Sequence, residues 1–413
     1  MYLMVWVTQM SGGRCAATGA LTLFSLSLVF QFLVFLASFR SDSSNWTIGV
    51  IRTRLIPSSN SQPGNHSDIP HISFNDFIAV VNPSLSTSQS LRIPVTTWNS
   101  TGSEDLRYPL EIDMPEVVRL TLNNLTVKVK PINQPAFELL ISNKEKCHIA
   151  PDLLILIKSS PRNFLLRDTV RVGWGAEHCW GGRRVVRLFL LGRVPSTDNV
   201  TSVRLSHEAA FYGDIIQQDF IDNYHNNTYK MMFGIDWAVR FCSEAPLIMF
   251  VDDDFFVYPR NVIAYIEGLS LALRSQLIAG YVWWNAAPIR NKKTGPLKKW
   301  SIGWAEYPNT QYPPYMAAGN FFLSMPMARE LNVAARFTQY LRFDDVFLGI
   351  VMKKLLRTPI HLSRIYAFVP VNTNDSQQVS TMLSSHQYDN PSAQFSLWKL
   401  LDCQTFCHSV QSV

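Results

Sequence analysis

Four runs of strand length are apolar almost without interruption, and they constrain the fold more than any other feature. They are DLLILIK (Asp152–Lys158), VVRLFLLG (Val185–Gly192), PLIMFVD (Pro246–Asp252) and QLIAGYVWW (Gln276–Trp284). An alternating strand shows one face to water, whereas a continuous apolar run is buried on both faces, as in a sheet covered by helices. Helical patterns lie between the runs, for example over Thr228–Phe241. Alternating strand and helix predicts an α/β fold with a largely parallel sheet. With 413 residues, 47% hydrophobic and only 16% charged, the chain can bury one large core or two ordinary ones, which excludes a disordered chain. The net charge of +6 reads as mild and unclustered, without the basic run of a nucleic-acid footprint, so no nucleic-acid partner is expected.

The amino-terminal third predicts a compartment. Ala16–Phe39 is uncharged and flanked by Arg14 and Arg40. It exceeds the roughly 20 residues needed to cross a bilayer as a helix, and also the short apolar region of a cleavable signal. A retained signal anchor is the preferred reading; a cleaved signal stays open because Ala37 and Ser38 are small. Asn45, Asn65, Asn99, Asn124, Asn199, Asn226 and Asn374 each begin an N-x-[ST] triplet, all after the span. That places the following chain in the secretory lumen. The expected layout is a cytosolic tail (1–15), a span (16–39), a Ser/Asn/Thr/Pro-rich stem (40–135) with some order near Leu120–Lys130, and a catalytic domain (136–413). Six cysteines are too few for a disulfide scaffold. Cys147, Cys179, Cys242 and Cys403 suit long-loop bridges, Cys403 and Cys407 lie too far from a second pair to read as zinc ligands, and the five cysteines after the span leave at least one unpaired.

Chemistry is concentrated in two acidic groups. Asp252, Asp253 and Asp254 directly follow the apolar run LIMFV and precede Phe255 and Phe256. Ligands of open α/β sheets bind outside the carboxyl ends of strands. Three carboxylates there repel one another unless a cation sits among them, and a divalent metal with oxygen ligands meets that need. An EF-hand loop fails on spacing, and a solvated acidic turn would not need the two phenylalanines. Asp344 and Asp345, in LRFDDVFLGIVMKKL, precede a helical pattern. They read either as N-cap carboxylates or as a general base. His386, in SSHQYDN, is either a structural histidine or a metal ligand.

The order of these motifs resembles the β-1,3-glycosyltransferases of glycosyltransferase family 31. RDTVRVGWG (Arg167–Gly175) is similar to the family's R-x-x-x-R-x-T-W stretch, with Gly173 where Thr is usual. FLLG, the segment Glu208–Lys230, VDDDFFV, YPPYMAAGNFFLS, FDDVFLG and SSHQY follow in family order. The doublet in FDDVFLG together with YPPYMAAGNF resembles the brainiac branch. The resemblance implies a GT-A fold, a UDP-sugar donor and Mn²⁺. It places Asp254 and His386 on the metal, Asp252 and Asp253 toward the donor's ribose and sugar, and Ser159, Ser160, Arg167 and Arg171 on the nucleotide. Lys230 would lie near the donor, and Asp345 would be the base with Asp344 beside it. The implied reaction is single displacement with inversion, onto a hydroxyl of a glycolipid or glycoprotein glycan, by a single-pass type II Golgi membrane protein. The donor sugar is either N-acetylglucosamine or galactose. The alternative reading is a non-catalytic glycan-binding or chaperone-like membrane glycoprotein on the same fold.

Overall fold

The computed structural model describes residues 112–133 and 137–408. The expected tail, span and most of the stem lie outside them, and no helix among the described residues is long and apolar enough to cross a membrane. In chain order the elements are α1 (Met114–Leu122), β1 (Leu139–Ile141), β2 (Leu153–Lys158), α2 (Phe164–Val172), β3 (Val185–Arg193) and α3 (Asn199–Tyr212). There follow β4 (Ile215–Ile221), α4 (Asn227–Phe241), β5 (Leu247–Asp252), β6 (Phe256–Val257), α5 (Pro259–Glu267), α6 (Leu271–Ser275) and β7 (Ile278–Trp283). The rest are β8 (Tyr315–Ser324), α7 (Met325–Arg336), α8 (Asp344–Lys354), β9 (Ile360–His361), β10 (Ile365–Tyr366), α9 (Ser376–Thr381), β11 (Ser384–Ser385), α10 (Pro391–Leu400) and α11 (Cys403–His408).

The main sheet runs in the order β1-β4-β3-β2-β5-β8-β7-β9. Its central strands β4, β3, β2 and β5 are parallel, as the apolar runs predict. The flanks are not uniformly so: β1 pairs antiparallel with β4, and β8 antiparallel with both β5 and β7. The run Gln276–Trp284 therefore forms an antiparallel member, which its composition did not reveal. Strand β2 shows why the runs are apolar throughout. Leu154 and Leu156 join one core with α1, α4, α7 and α8, while Leu153, Ile155 and Ile157 join the opposite core with α2, α5 and α10.

Packed structure begins inside the segment expected to be stem, before residue 136. Helix α1 starts on Asp113, whose side chain accepts from Glu116 N–H, and has Pro115 in its first turn. Met114, Val117 and Val118 are buried in the first core. Ile132 and Asn133 N–H groups both donate to Arg336 O at the end of α7. The Ser/Asn/Thr/Pro-rich texture of the surrounding stretch obscured a helix only nine residues long. Two bridges close the domain, Cys147–Cys242 and Cys179–Cys407, leaving Cys403 free and buried. Cys407 thus takes the place that spacing suggested for Cys403. His178 joins Cys179 and Cys407 in one close group, but both thiols are committed to the disulfide.

A small second sheet, β10-β11-β6, positions the late histidine. Ser385 of β11 lies opposite Phe256 of β6, so the residue after β11, His386, arrives beside the acidic trio that precedes β6.

Candidate active site

The site lies at the carboxyl ends of β2 and β5, which are neighbours in register with Lys158 opposite Asp252. Lys158 is 5% exposed and closes an otherwise apolar strand. Its Nζ lies 3.0 Å from Asp252 Oδ1 and 2.9 Å from Asp344 Oδ2. One ammonium therefore joins the two acidic groups that the sequence separates. Burial works against the Lys158 charge, but the two carboxylates outweigh it and hold its pKa well above the usual lysine range. Asp252 is pushed up to about 7 by burial and by the charges of Asp254 and Asp344, which Lys158 only partly offsets. The cation demanded by the acidic trio is thus supplied in part by the chain itself.

Asp253 is buried and fixed: Ser159 Oγ donates to its Oδ2 at 2.6 Å, and Asn163 Nδ2 at 3.0 Å. Burial still pushes it up to about 6. Gln394 from α10 holds the Asp253 and Tyr388 carbonyls from below. Asp254 faces His386, with Nε2 and Oδ2 3.2 Å apart, and the imidazole stacks on Phe255 at 4.8 Å. The Tyr388 N–H donates to Asp254 O, so the turn is pinned from both ends. Asp254 Oδ1 is buried and has no hydrogen-bond partner among the described residues. A buried carboxylate oxygen without a donor, beside an imidazole nitrogen, fits a divalent ion with oxygen and nitrogen ligands.

At the other acidic group, the helix starts differently from a capped one. The N-cap position of α8 is Phe343, which makes no side-chain cap bond, and both aspartates stand in the first turn. Asp345 Oδ1 accepts from Val346 N–H at 2.7 Å. Burial, and then the neighbouring Asp344, push Asp345 up to about 7. Asp344 is committed to Lys158; Asp345 makes no ion pair among the described residues. The Tyr312–Tyr315 loop abuts this helix: a Cβ on Gly349 would sit 2.6 Å from Tyr315 Cβ, so only glycine allows that approach.

A model described as galactosyltransferase matches residues 166–363. Beta-1,3-galactosyltransferase 1 of Mus musculus is 34% identical over 230 residues, 55% of this chain and 68% of that protein. The chain belongs to the galactosyltransferase family, glycosyltransferase family 31. It is accordingly a glycosyltransferase. Beta-1,3-galactosyltransferase brn of Drosophila melanogaster is 33% identical over 301 residues, 70% of this chain and 85% of that one. UDP-GalNAc:beta-1,3-N-acetylgalactosaminyltransferase 1 of Sus scrofa is 29% identical over 290 residues, 68% of this chain and 83% of that protein.

Within this galactosyltransferase family member the expected site residues separate into two groups. Asp252, Asp253, Asp254, His386, Asp344 and Asp345 converge, and Ser159 touches Asp253 directly. Lys230 also reaches the site, with Nζ 2.6 Å from Ser159 O and 2.9 Å from Asp222 Oδ1. The two arginines expected on the nucleotide are engaged elsewhere. Arg167 is fully buried and pairs with Glu208, while its Nη1 donates to Ser159 Oγ at 3.0 Å. It braces the Ser159 turn from behind. Arg171 is bound bidentately by Asp214 and also meets Glu208 and Asp168, one layer further from the acids. All five Arg167 donors are taken, by Glu208, Ser159 Oγ, Ser160 O and Pro161 O, which leaves none for a phosphate. Lys158, Asn163 and Gln394 escaped the reading of the sequence. Lys158 alone carried a signal, because a charge ending a buried strand requires a buried carboxylate partner.

Proposed function

We propose that the chain is an inverting, Mn²⁺-dependent β-1,3-hexosyltransferase of GT-A type, which moves galactose or N-acetylglucosamine from a UDP-α-sugar to a glycan hydroxyl. The observation that carries this reading is the single Lys158 ammonium holding Asp252 and Asp344. It supports a donor site at the strand end and a base at the head of α8, on one floor. Asp345 is the base in this reading. Asp344 is neutralised by Lys158, whereas Asp345 is unpaired, partly exposed and raised to about 7, near the pH at which a carboxylate can accept a proton effectively. As the acceptor oxygen attacks the anomeric carbon from the face opposite UDP, its proton passes to Asp345 and the configuration inverts.

Asp254 and His386 would hold the metal, which when bound neutralises charge on the leaving diphosphate. Ser159, Asn163 and Lys230 keep the Asp253 turn in place so that its carboxylate points the same way before the donor arrives. In this reading the chain is a type II Golgi membrane protein, as the amino-terminal apolar stretch and the family support. The test is transfer by the full chain from UDP-galactose and UDP-N-acetylglucosamine, with Mn²⁺ and with EDTA. Transfer with inversion that EDTA abolishes is expected; transfer from neither donor would overturn the reading.

A further inference from the structure

The charge excess read as unclustered includes one local cluster. The connection between β7 and β8, residues 284–314, carries Arg290, Lys292, Lys293, Lys298 and Lys299 against one carboxylate, Glu306. Glu306 is paired with Arg342, and Arg290 is tied to the carbonyls of Ile302, Gly303 and Asn309. Lys292, Lys293, Lys298 and Lys299 are exposed and make no ion pair among the described residues.

This connection leans on the base side of the site. Arg342, three residues before Asp345, donates to Ser301 O and to Glu306 Oε1, which ties the connection to the head of α8. The short turn Pro296–Trp300 ends with Trp300 Nε1 donating to Tyr224 Oη at 2.8 Å. Lys299 Nζ lies 4.4 Å from the Trp300 ring centroid and 5.6 Å from that of Tyr224. Tyr312, at the end of the same connection, is 7% exposed, and its hydroxyl has no partner among the described residues. The result is an indole and a phenol, of the kind that sugar faces pack against, with a fringe of lysines that make no ion pair among the described residues, on a connection that ends in a buried hydroxyl without a partner there.

We propose that this rim is an acceptor subsite for an acidic glycan: a hexose packs against Trp300 and Tyr224, and a carboxylate, sulfate or phosphate on the same or the next residue is received by Lys298 and Lys299. The inference rests on the transferase reading and names the substrate class of that site. The donor diphosphate is not the partner these lysines fit. In that reading it lies with Asp254 and His386, which pair with each other and with none of these lysines. Four exposed ammoniums within eight residues repel one another; an acidic ligand relieves that repulsion, and the patch's positive potential raises the local concentration of such a ligand.

The test uses the full chain with a neutral disaccharide acceptor, its 6-sulfated form and its uronic-acid form. Acceptor binding is measured by calorimetry without donor, and KM for acceptor and for donor by initial rates. The acidic forms should bind and show a KM at least about fivefold below the neutral one at low salt, with the advantage gone near 0.5 M salt. K298Q/K299Q should erase the preference while donor KM moves less than about twofold. Equal affinity for neutral and acidic forms overturns the proposal, as does a variant whose loss falls on donor KM. Loss of phosphatidylserine-vesicle binding in the variant, with acceptor preference unmoved, would overturn it in favour of a membrane-facing patch. Preferential binding of acidic glycans without transfer to any acceptor would remove the transferase reading and leave the rim standing.

Discussion

Lys158 and Asp344 are 186 residues apart in the chain and 2.9 Å apart in the fold, in a bond that is buried on both sides. The same ammonium lies 3.0 Å from Asp252, so one side chain fixes the distance between the strand-end acids and the head of α8. The proposed single displacement needs donor and base on opposite sides of one carbon, and in that reading this pairing sets their separation before any substrate binds.

Replacing Lys158 by Met should therefore be more damaging than its distance from solvent suggests. It leaves the buried Asp344 and the partly exposed Asp252 without their cation, a change of about 3–5 kcal/mol. Denaturant unfolding should show the loss of stability, and turnover should fall with it. A K158M chain of unchanged stability would mean that Asp252 and Asp344 are not held by this residue.

D345N and D344N should separate chemistry from scaffold. Loss of a general base costs about 10²–10⁴ in kcat, so D345N should lose turnover while donor binding persists. D344N should instead lower stability, because Lys158 loses a partner, and should retain more activity than D345N. Initial rates and UDP calorimetry on both variants decide the point.

The pH profile should carry the signature of a raised carboxyl. Asp345 must be ionised to accept a proton, and its pKa stands at about 7. Log kcat should therefore rise with pH at a slope near one below 7 and level off above it, with about a tenth of the plateau rate at pH 6. D345N should flatten that limb. A profile already level from pH 5 would remove Asp345 as the base.

Gly319 offers a way to disturb His386 without touching it. A Cβ there would lie 2.4 Å from the Phe255 ring, and Phe255 is the face on which His386 stacks. G319A should displace the ring, cost about 1–3 kcal/mol of stability, and raise the Mn²⁺ concentration needed for half-maximal rate. D254A should go further and abolish Mn²⁺-dependent UDP binding in calorimetry. Normal metal dependence in both variants would move the ion elsewhere.

Much of this was legible in the chain itself. Strands buried on both faces are apolar at nearly every position, so β2, β3 and β5 announced themselves, and with them an α/β sheet. Asp252, Asp253 and Asp254 stood out because three adjacent carboxylates after a buried strand repel one another unless a cation sits among them. The antiparallel direction of β7 was not legible, since burial on two faces reads the same in either direction. Nor was α1, whose three buried residues lie in a polar stretch.

Local sequence decides what depends on one segment: which strands are buried, where a helix begins, and that acids cluster at two places. Tertiary structure decided what depends on two segments at once. It put Asp252 and Asp344 on the same lysine, took Arg167 and Arg171 into ion pairs behind the site, and brought Tyr224 against Trp300 and Lys299. Coulomb attraction and burial act across space, and residues far apart in the chain become neighbours only after the sheet has set their distance.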